Sequence, residues 1–112
     1  WMTMLIVLCV IYTMAHYLLA SNSAHIAAMF IAFMTILVAA GAPVIPTAII
    51  LAILCNSASF LTHYGCGVTP IFFGTGFMGQ GEWWKIGFVI TVMHIVVWMA
   101  LGLPIMGILG MM

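Results

Sequence analysis

Two short polar stretches hold most of the chemistry this sequence can do. The first is Ser21-Asn22-Ser23, two hydroxyls and an amide with no charge. A serine opening a helix is a good N-cap. The backbone N–H groups of Asn22, Ser23 and Ala24 would then lack helical partners. Helix N-termini carry partial positive charge and hold carboxylates without any arginine. The amide oxygen of Asn22 could also ligate a hard cation such as sodium. The same triplet also fits an ordinary polar loop between two helices, the commoner case. Its tightness, with Ala20 and Ala24 on either side, favours a loop kept within the protein.

The second stretch is Gly65-x-Gly67-x-Thr69-Pro70, preceded by Asn56, Ser57, Ser59, Thr62 and His63. Two glycines and a proline this close will not hold a continuous helix. Irregular backbone at membrane depth survives only where protein buries it or where it lines a cavity. Freed carbonyls there, near Val68, could bind a cation, and the Thr69 hydroxyl could bind a carboxylate. The other reading is a proline-glycine turn at the membrane surface. His25 and His63 each lie beside one of the two stretches and could supply a titratable positive charge near a bound anion. His16 and His94 sit in apolar runs, where packed, hydrogen-bonded core histidines are the usual case.

Other chemistries lack residues. The eleven methionines form no water-exposed ligand cluster and read as adaptable apolar filler. Cys9, Cys55 and Cys66 share no metal-type spacing. Haem ligation needs two histidines facing each other across helices, which spacing cannot supply. Paired carboxylates, a nucleophile elbow and a phosphate loop are all missing from the sequence, so an enzyme reading has no residues to stand on. No cofactor is expected, sodium aside.

The elements that must position these residues are helices in lipid. Of 112 residues, 68% are hydrophobic and 2% charged, namely Glu82 and Lys85, and the mean hydropathy is +1.43. A soluble domain carries about 25% charged residues, so a soluble enzyme, a nucleic-acid binder and a disordered chain are excluded. Met2 to Ala20 and Ala24 to Ala40 are apolar runs near the lower length limit for crossing a bilayer. Gly41-Ala42-Pro43 and Pro46 mark a turn, with Pro46 suited to a helix's first turn. Thr47 to Leu61 is a third apolar run, growing polar toward its end. Gln80 to Lys85, with Trp83-Trp84, has the composition of a membrane–water interface. Ile86 to Leu103 is a last apolar span, with Pro104 placed to kink it. The start at Trp1 is not a signal peptide and reads as a cut from a longer chain. The fold class is therefore an all-α membrane protein.

The order of these features is similar to that of a known family. Ala20-Ser21-Asn22-Ser23-Ala24-His25 resembles the second Ser-Asn-Thr signature of the divalent anion/sodium symporters. The stretches Leu61-Thr62-His63-Tyr64-Gly65, Thr69-Pro70-Ile71-Phe72-Phe73-Gly74 and Gly79 through Phe88 are similar to its citrate/succinate antiporter and 2-oxoglutarate/malate translocator branch. The resemblance covers nearly the whole chain. It implies homodimeric elevator transporters built from two inverted repeats, with this chain the C-terminal part of the second. Residues 1–40 would be a re-entrant hairpin with Ser21, Asn22 and Ser23 at its tip. Residues 47–78 would be a broken helix, with halves Thr47 to Tyr64 and Phe73 onward and with Val68, Thr69 and Pro70 at the break. Residues 86–109 would be the terminal span. Ser23 stands where the signature has threonine, which keeps the hydroxyl and loses a methyl.

The function this implies is secondary transport of di- and tricarboxylates, by anion exchange, in a bacterial inner membrane. Ser21, Asn22, Ser23, Thr69 and Pro70 would bind substrate. Asn22 and Val68 would hold a cation, or His25 or His63 would replace its charge. The implied partners are the small carboxylates, membrane lipid, the missing N-terminal repeat and a second protomer, with no nucleic acid. Sodium-coupled symport is the alternative coupling. A non-transporting helical membrane subunit is the alternative of another class.

Overall fold

A computed structural model describes residues 1–19 and 21–111. The described residues are helical or in turns, with no strand among them. The helices are α1 (Met2–Leu18), α2 (Asn22–Ala39), α3 (Val44–Ala58), α4 (Thr69–Phe73) and α5 (Gln80–Ile108). The last turn of α1, Ala15–Leu18, tightens to a 3-10 helix. Two five-residue π segments lie within longer helices, Ile26–Phe30 in α2 and Trp98–Gly102 in α5. The second lies just before Pro104, whose missing N–H removes one rung of the α ladder and loosens the turn ahead of it.

Spacing explains which sides are buried. On α1 the buried residues Leu5, Cys9, Tyr12 and His16 recur every three or four positions and form one stripe. On α3 Thr47, Ile50, Leu51, Leu54, Cys55 and Ala58 do the same. These stripes, with Leu37 of α2 and Ile95, Leu103 and Met106 of α5, enclose the core. Tyr12 packs its ring 4.3 Å from His25 and 5.3 Å from Phe33, which makes α1 and α2 the two arms of a hairpin. The outward sides are just as apolar. Ile31, Val44, Ile45, Val89, Val96, Leu101 and Ile108 are all more than half exposed. Only a hydrocarbon solvent tolerates such a surface.

The link from α2 to α3 is a Schellman turn. Ala42 N–H donates to Leu37 O at 3.0 Å and Gly41 N–H to Val38 O at 2.9 Å. Gly41 takes φ +93°, a left-handed value that favours glycine. Pro43 caps α3 and Pro46 lies in its first turn, as its fixed φ and lack of an N–H allow.

Two boundaries differ from the sequence reading. The third apolar run extends to Leu61, and the family resemblance implies a half-helix reaching Tyr64, but α3 ends at Ala58. Beyond it Ser59, Phe60 and Leu61 bond to carbonyls three residues back, and the chain then bends through residues 59–68. Where a second half-helix was expected from Phe73 onward, α4 is one turn ending at Phe73, with turns and bends through residues 74–78. The expected interfacial stretch from Gln80 to Lys85 is also not separate. It forms the start of α5, capped by Gly79.

Candidate functional site

The hairpin tip is built by its own cap. Ser21 has extended backbone, with φ −153° and ψ 145°, and its Oγ accepts the Ala24 N–H at 3.1 Å. Its carbonyl accepts the His25 N–H at 3.1 Å, the first rung of α2. Position in the helix leaves the N–H groups of Asn22 and Ser23 without helical acceptors. Ser23 is exposed, while Ser21 and Asn22 are half-buried. The tip therefore offers two backbone donors, the Ser23 hydroxyl and the Asn22 amide to an anion.

The tip rests on the bent segment that follows α3. Ser59 Oγ donates to Asn22 Oδ1 at 2.7 Å, and Cys55 Sγ lies 3.8 Å from the Asn22 carbonyl oxygen. His16 of α1 places Nε2 2.6 Å from the Gly65 carbonyl oxygen and Nδ1 2.7 Å from His25 Nδ1. Both histidines are fully buried. Tyr64 O–H donates to the Tyr17 carbonyl at 2.8 Å. Residues 59–65 thus clasp the last turn of α1 and the first turn of α2. Gly65 is needed there, because a Cβ at this position would run into the Ser59 carbonyl.

The second polar stretch divides. Its front, Ser59 to Gly65, meets the tip. Its back, Cys66 to Pro70, forms a separate turn: Thr69 Oγ1 donates to Cys66 O at 3.0 Å and accepts the Cys66 N–H at 3.1 Å. Thr69 is buried, whereas Val68 and Pro70 are exposed. Among the described residues no hydrogen bond joins Val68, Thr69 or Pro70 to the tip. His63 is half-buried in an aromatic nest. Its Nδ1 accepts the Trp84 Nε1–H at 3.2 Å, and its ring lies 4.5 Å from Phe73 and 5.1 Å from Tyr64. His25 lies under the tip and His63 against α5, so the two histidines paired by sequence reasoning occupy different surroundings.

Sequence reasoning missed His16 and the role of Ser59. His16 was expected to be a packed core histidine, and it is buried, but it also joins the two arms to the bent segment. A partial signal existed: His16 and His25 lie on opposite sides of the tip and only nine positions apart, so folding the hairpin brings them near each other. His94 was expected to be a packed, hydrogen-bonded core histidine too; it is hydrogen-bonded, with Nδ1 3.0 Å from its own helix's Ile90 carbonyl, but only half-buried. Among the described residues no group of three histidine, cysteine or acidic side chains is gathered to hold a metal.

This arrangement, an uncharged helix-start tip seated on a helix break, accompanies a clear kinship. Residues 1–112 match the family model described as the sodium:sulfate symporter transmembrane region. The chain is 49% identical over 80 residues, 71% of its length, to YflS of Bacillus subtilis (strain 168), whose name proposes it as a malate transporter. It is 40% identical over 102 residues, 91% of its length, to dicarboxylate transporter 1, chloroplastic, of Arabidopsis thaliana. It is 36% identical over 86 residues, 77% of its length, to the inner membrane protein YbhI of Escherichia coli (strain K12). These matches span only 17% of the first relative and 18% of each of the other two. Both α2 and α5 are long and apolar enough to cross a membrane. The chain is an integral membrane segment that belongs to the sodium:sulfate symporter transmembrane family, the divalent anion/sodium symporters.

Proposed function

We propose that this chain forms the C-terminal part of a secondary carrier for di- and tricarboxylates, and that its hairpin tip binds one substrate carboxylate. The observation that carries this reading is the Ser59–Asn22 hydrogen bond, which seats the open helix start of α2 on the irregular segment after α3. The names of two relatives, one proposed as a malate transporter and the other a dicarboxylate transporter, support this substrate class. An anion gains most from N–H dipoles that are fixed before it arrives, because no ordering cost remains.

The length of α3 supports a broken helix beside the hairpin. With 15 residues, α3 rises about 22 Å, short of the about 30 Å hydrocarbon core. A helix of that length starting at one surface ends inside the membrane, and the bent segment from Ser59 to Gly65 then lies at depth beside the tip. By contrast α5, with 29 residues, rises about 43 Å and crosses fully. In this reading an inverted first repeat supplies the second tip. The rigid tip-bearing body of each protomer in a homodimer then moves the substrate as an elevator.

For coupling, carboxylate exchange is the reading, with His25 or His63 supplying positive charge in place of sodium. Asn22 Oδ1 accepts from Ser59 with one of its two lone pairs, and Val68 lies in the separate turn that Thr69 closes on Cys66, so among the described residues the two groups expected to share a cation are not joined by a hydrogen bond. Proteoliposomes of the full-length transporter test all of this. Asn22→Ala at normal expression should abolish malate and succinate uptake; uptake retained by the variant would remove the tip as the carboxylate site, and no carboxylate uptake by the wild type would favour a non-transporting subunit. Uptake that needs internal dicarboxylate and ignores sodium supports exchange, and uptake driven by a sodium gradient into empty vesicles supports symport.

A further inference from the structure

The hydrogen bonds of the buried histidine pair fix where its protons sit. His16 Nε2 faces a carbonyl oxygen, which can only accept, so this nitrogen carries hydrogen. A neutral imidazole carries one hydrogen, which leaves His16 Nδ1 a bare acceptor. The 2.7 Å contact then requires His25 Nδ1 to be the donor. His25 is thereby left with a bare Nε2, an atom that is buried and has no partner among the described residues. The opposite direction would need His16 as an imidazolium. Among the described residues, the groups placed against the pair offer no counter-charge: Tyr12, whose ring lies 4.3 Å from that of His25 and whose backbone also faces it, and the Gly65 carbonyl at His16. Glu82 and Lys85 are exposed on α5. A buried charge with no partner is too costly to be the resting state.

We propose that His16 and His25 form a directional pair with one proton-accepting atom, His25 Nε2, and that loading this atom is coupled to carboxylate binding at the tip. His16 is the positioning residue, since both of its nitrogens are committed. A proton taken from solvent by the His25 Nε2 lone pair gives an imidazolium that keeps its bond to His16. That cation lies in the first turn of α2, where the helix dipole disfavours it. A dicarboxylate on the Asn22 and Ser23 N–H groups reverses the local field. Proton and substrate therefore favour each other, and the coupling is reciprocal. The carboxylate half of this inference rests on the proposed function, whereas the tautomer half does not.

Two measurements on the full-length transporter separate those halves. The first is 15N NMR of histidine-labelled protein in nanodiscs, which distinguishes bare from protonated ring nitrogens. It should show bare Nδ1 on His16 and bare Nε2 on His25 at neutral pH. A bare Nε2 on His16 overturns the proposal, whatever the protein transports. The second is the KM for fumarate, a dianion throughout this range, in proteoliposomes between about pH 8 and 6. Wild-type KM should fall as pH is lowered. In His25→Asn the amide keeps a donor toward His16 and the position no longer takes a proton, so KM should stay at or above the wild-type value for about pH 8 and should not change with pH. His16→Gln keeps the donor to Gly65 and removes the acceptor for His25, so the 15N signal should show mixed His25 tautomers. A His25→Asn profile that follows wild type overturns the coupling. No fumarate uptake by wild type sinks the carrier reading alone and leaves the NMR result standing.

Discussion

Ser59 and Asn22 are 37 positions apart in sequence, yet a single 2.7 Å hydrogen bond joins them, from the hydroxyl at the end of α3 to the amide oxygen at the start of α2. This bond sets the orientation of the Asn22 side chain, so that its amide N–H groups turn away from Ser59. Ser59→Ala should cost about 1 kcal/mol of stability and raise the KM for dicarboxylate several-fold with little change in expression. Size-exclusion melting curves and proteoliposome uptake measure the two effects. Unchanged KM would show that the Asn22 side chain is held by other contacts.

Gly65 and Gly67 stand two positions apart in the same bent segment and should respond oppositely to alanine. A Cβ on Gly65 meets the Ser59 backbone carbonyl, which cannot move without unwinding the end of α3, whereas a Cβ on Gly67 meets open space. Gly65→Ala should lower the melting temperature markedly and abolish uptake, and Gly67→Ala should match wild type in both. Equal tolerance of the two would contradict the fold-back onto Ser59.

Ser21 separates capping from anion binding. Ser21→Ala removes the oxygen that accepts the Ala24 N–H and should cost about 1 kcal/mol. Ser21→Asp restores a good cap and favours the helix dipole, but its carboxylate occupies the site of the substrate's own. The aspartate variant should therefore be at least as heat-stable as the alanine variant and should still fail to take up dicarboxylate. Transport by Ser21→Asp at wild-type rates would place the substrate elsewhere.

Tyr64→Phe removes one hydrogen bond, that to the Tyr17 carbonyl, and leaves the ring in place against His63. A loss of about 1 kcal/mol in stability is expected, with KM unchanged, because this contact joins the bent segment to Tyr17 of α1 and not to Asn22. A KM shift comparable to that of Ser59→Ala would show that the whole clasp sets tip geometry.

How far the sequence alone could lead depends on range. The hairpin was legible because Ser21-Asn22-Ser23 interrupts two apolar runs without charge, and a serine before a helix has a local reason to cap it. The turn at Gly41 was legible for the same kind of reason. The end of α3 was not. Apolar residues continue past Ala58 through Phe60 and Leu61, so hydropathy gives no stop, and the helix ends because the chain folds back through Gly65 onto Ser59. The division of the second polar stretch was also hidden. Thr69 looked like a ligand, and only the three-dimensional turn shows its hydroxyl engaged with Cys66. His16 was legible as a packed, hydrogen-bonded core histidine, but its partners were not, because His25 and Gly65 come from other segments.

The His63–Trp84 bond has a mechanical consequence. It ties the bent segment to α5, while Gly65 and Tyr64 tie the same segment to α1. Ile95, Leu103 and Met106 add the terminal helix to the shared core. A displacement of α5 is therefore carried through the bent segment to the hairpin, and the two shift together.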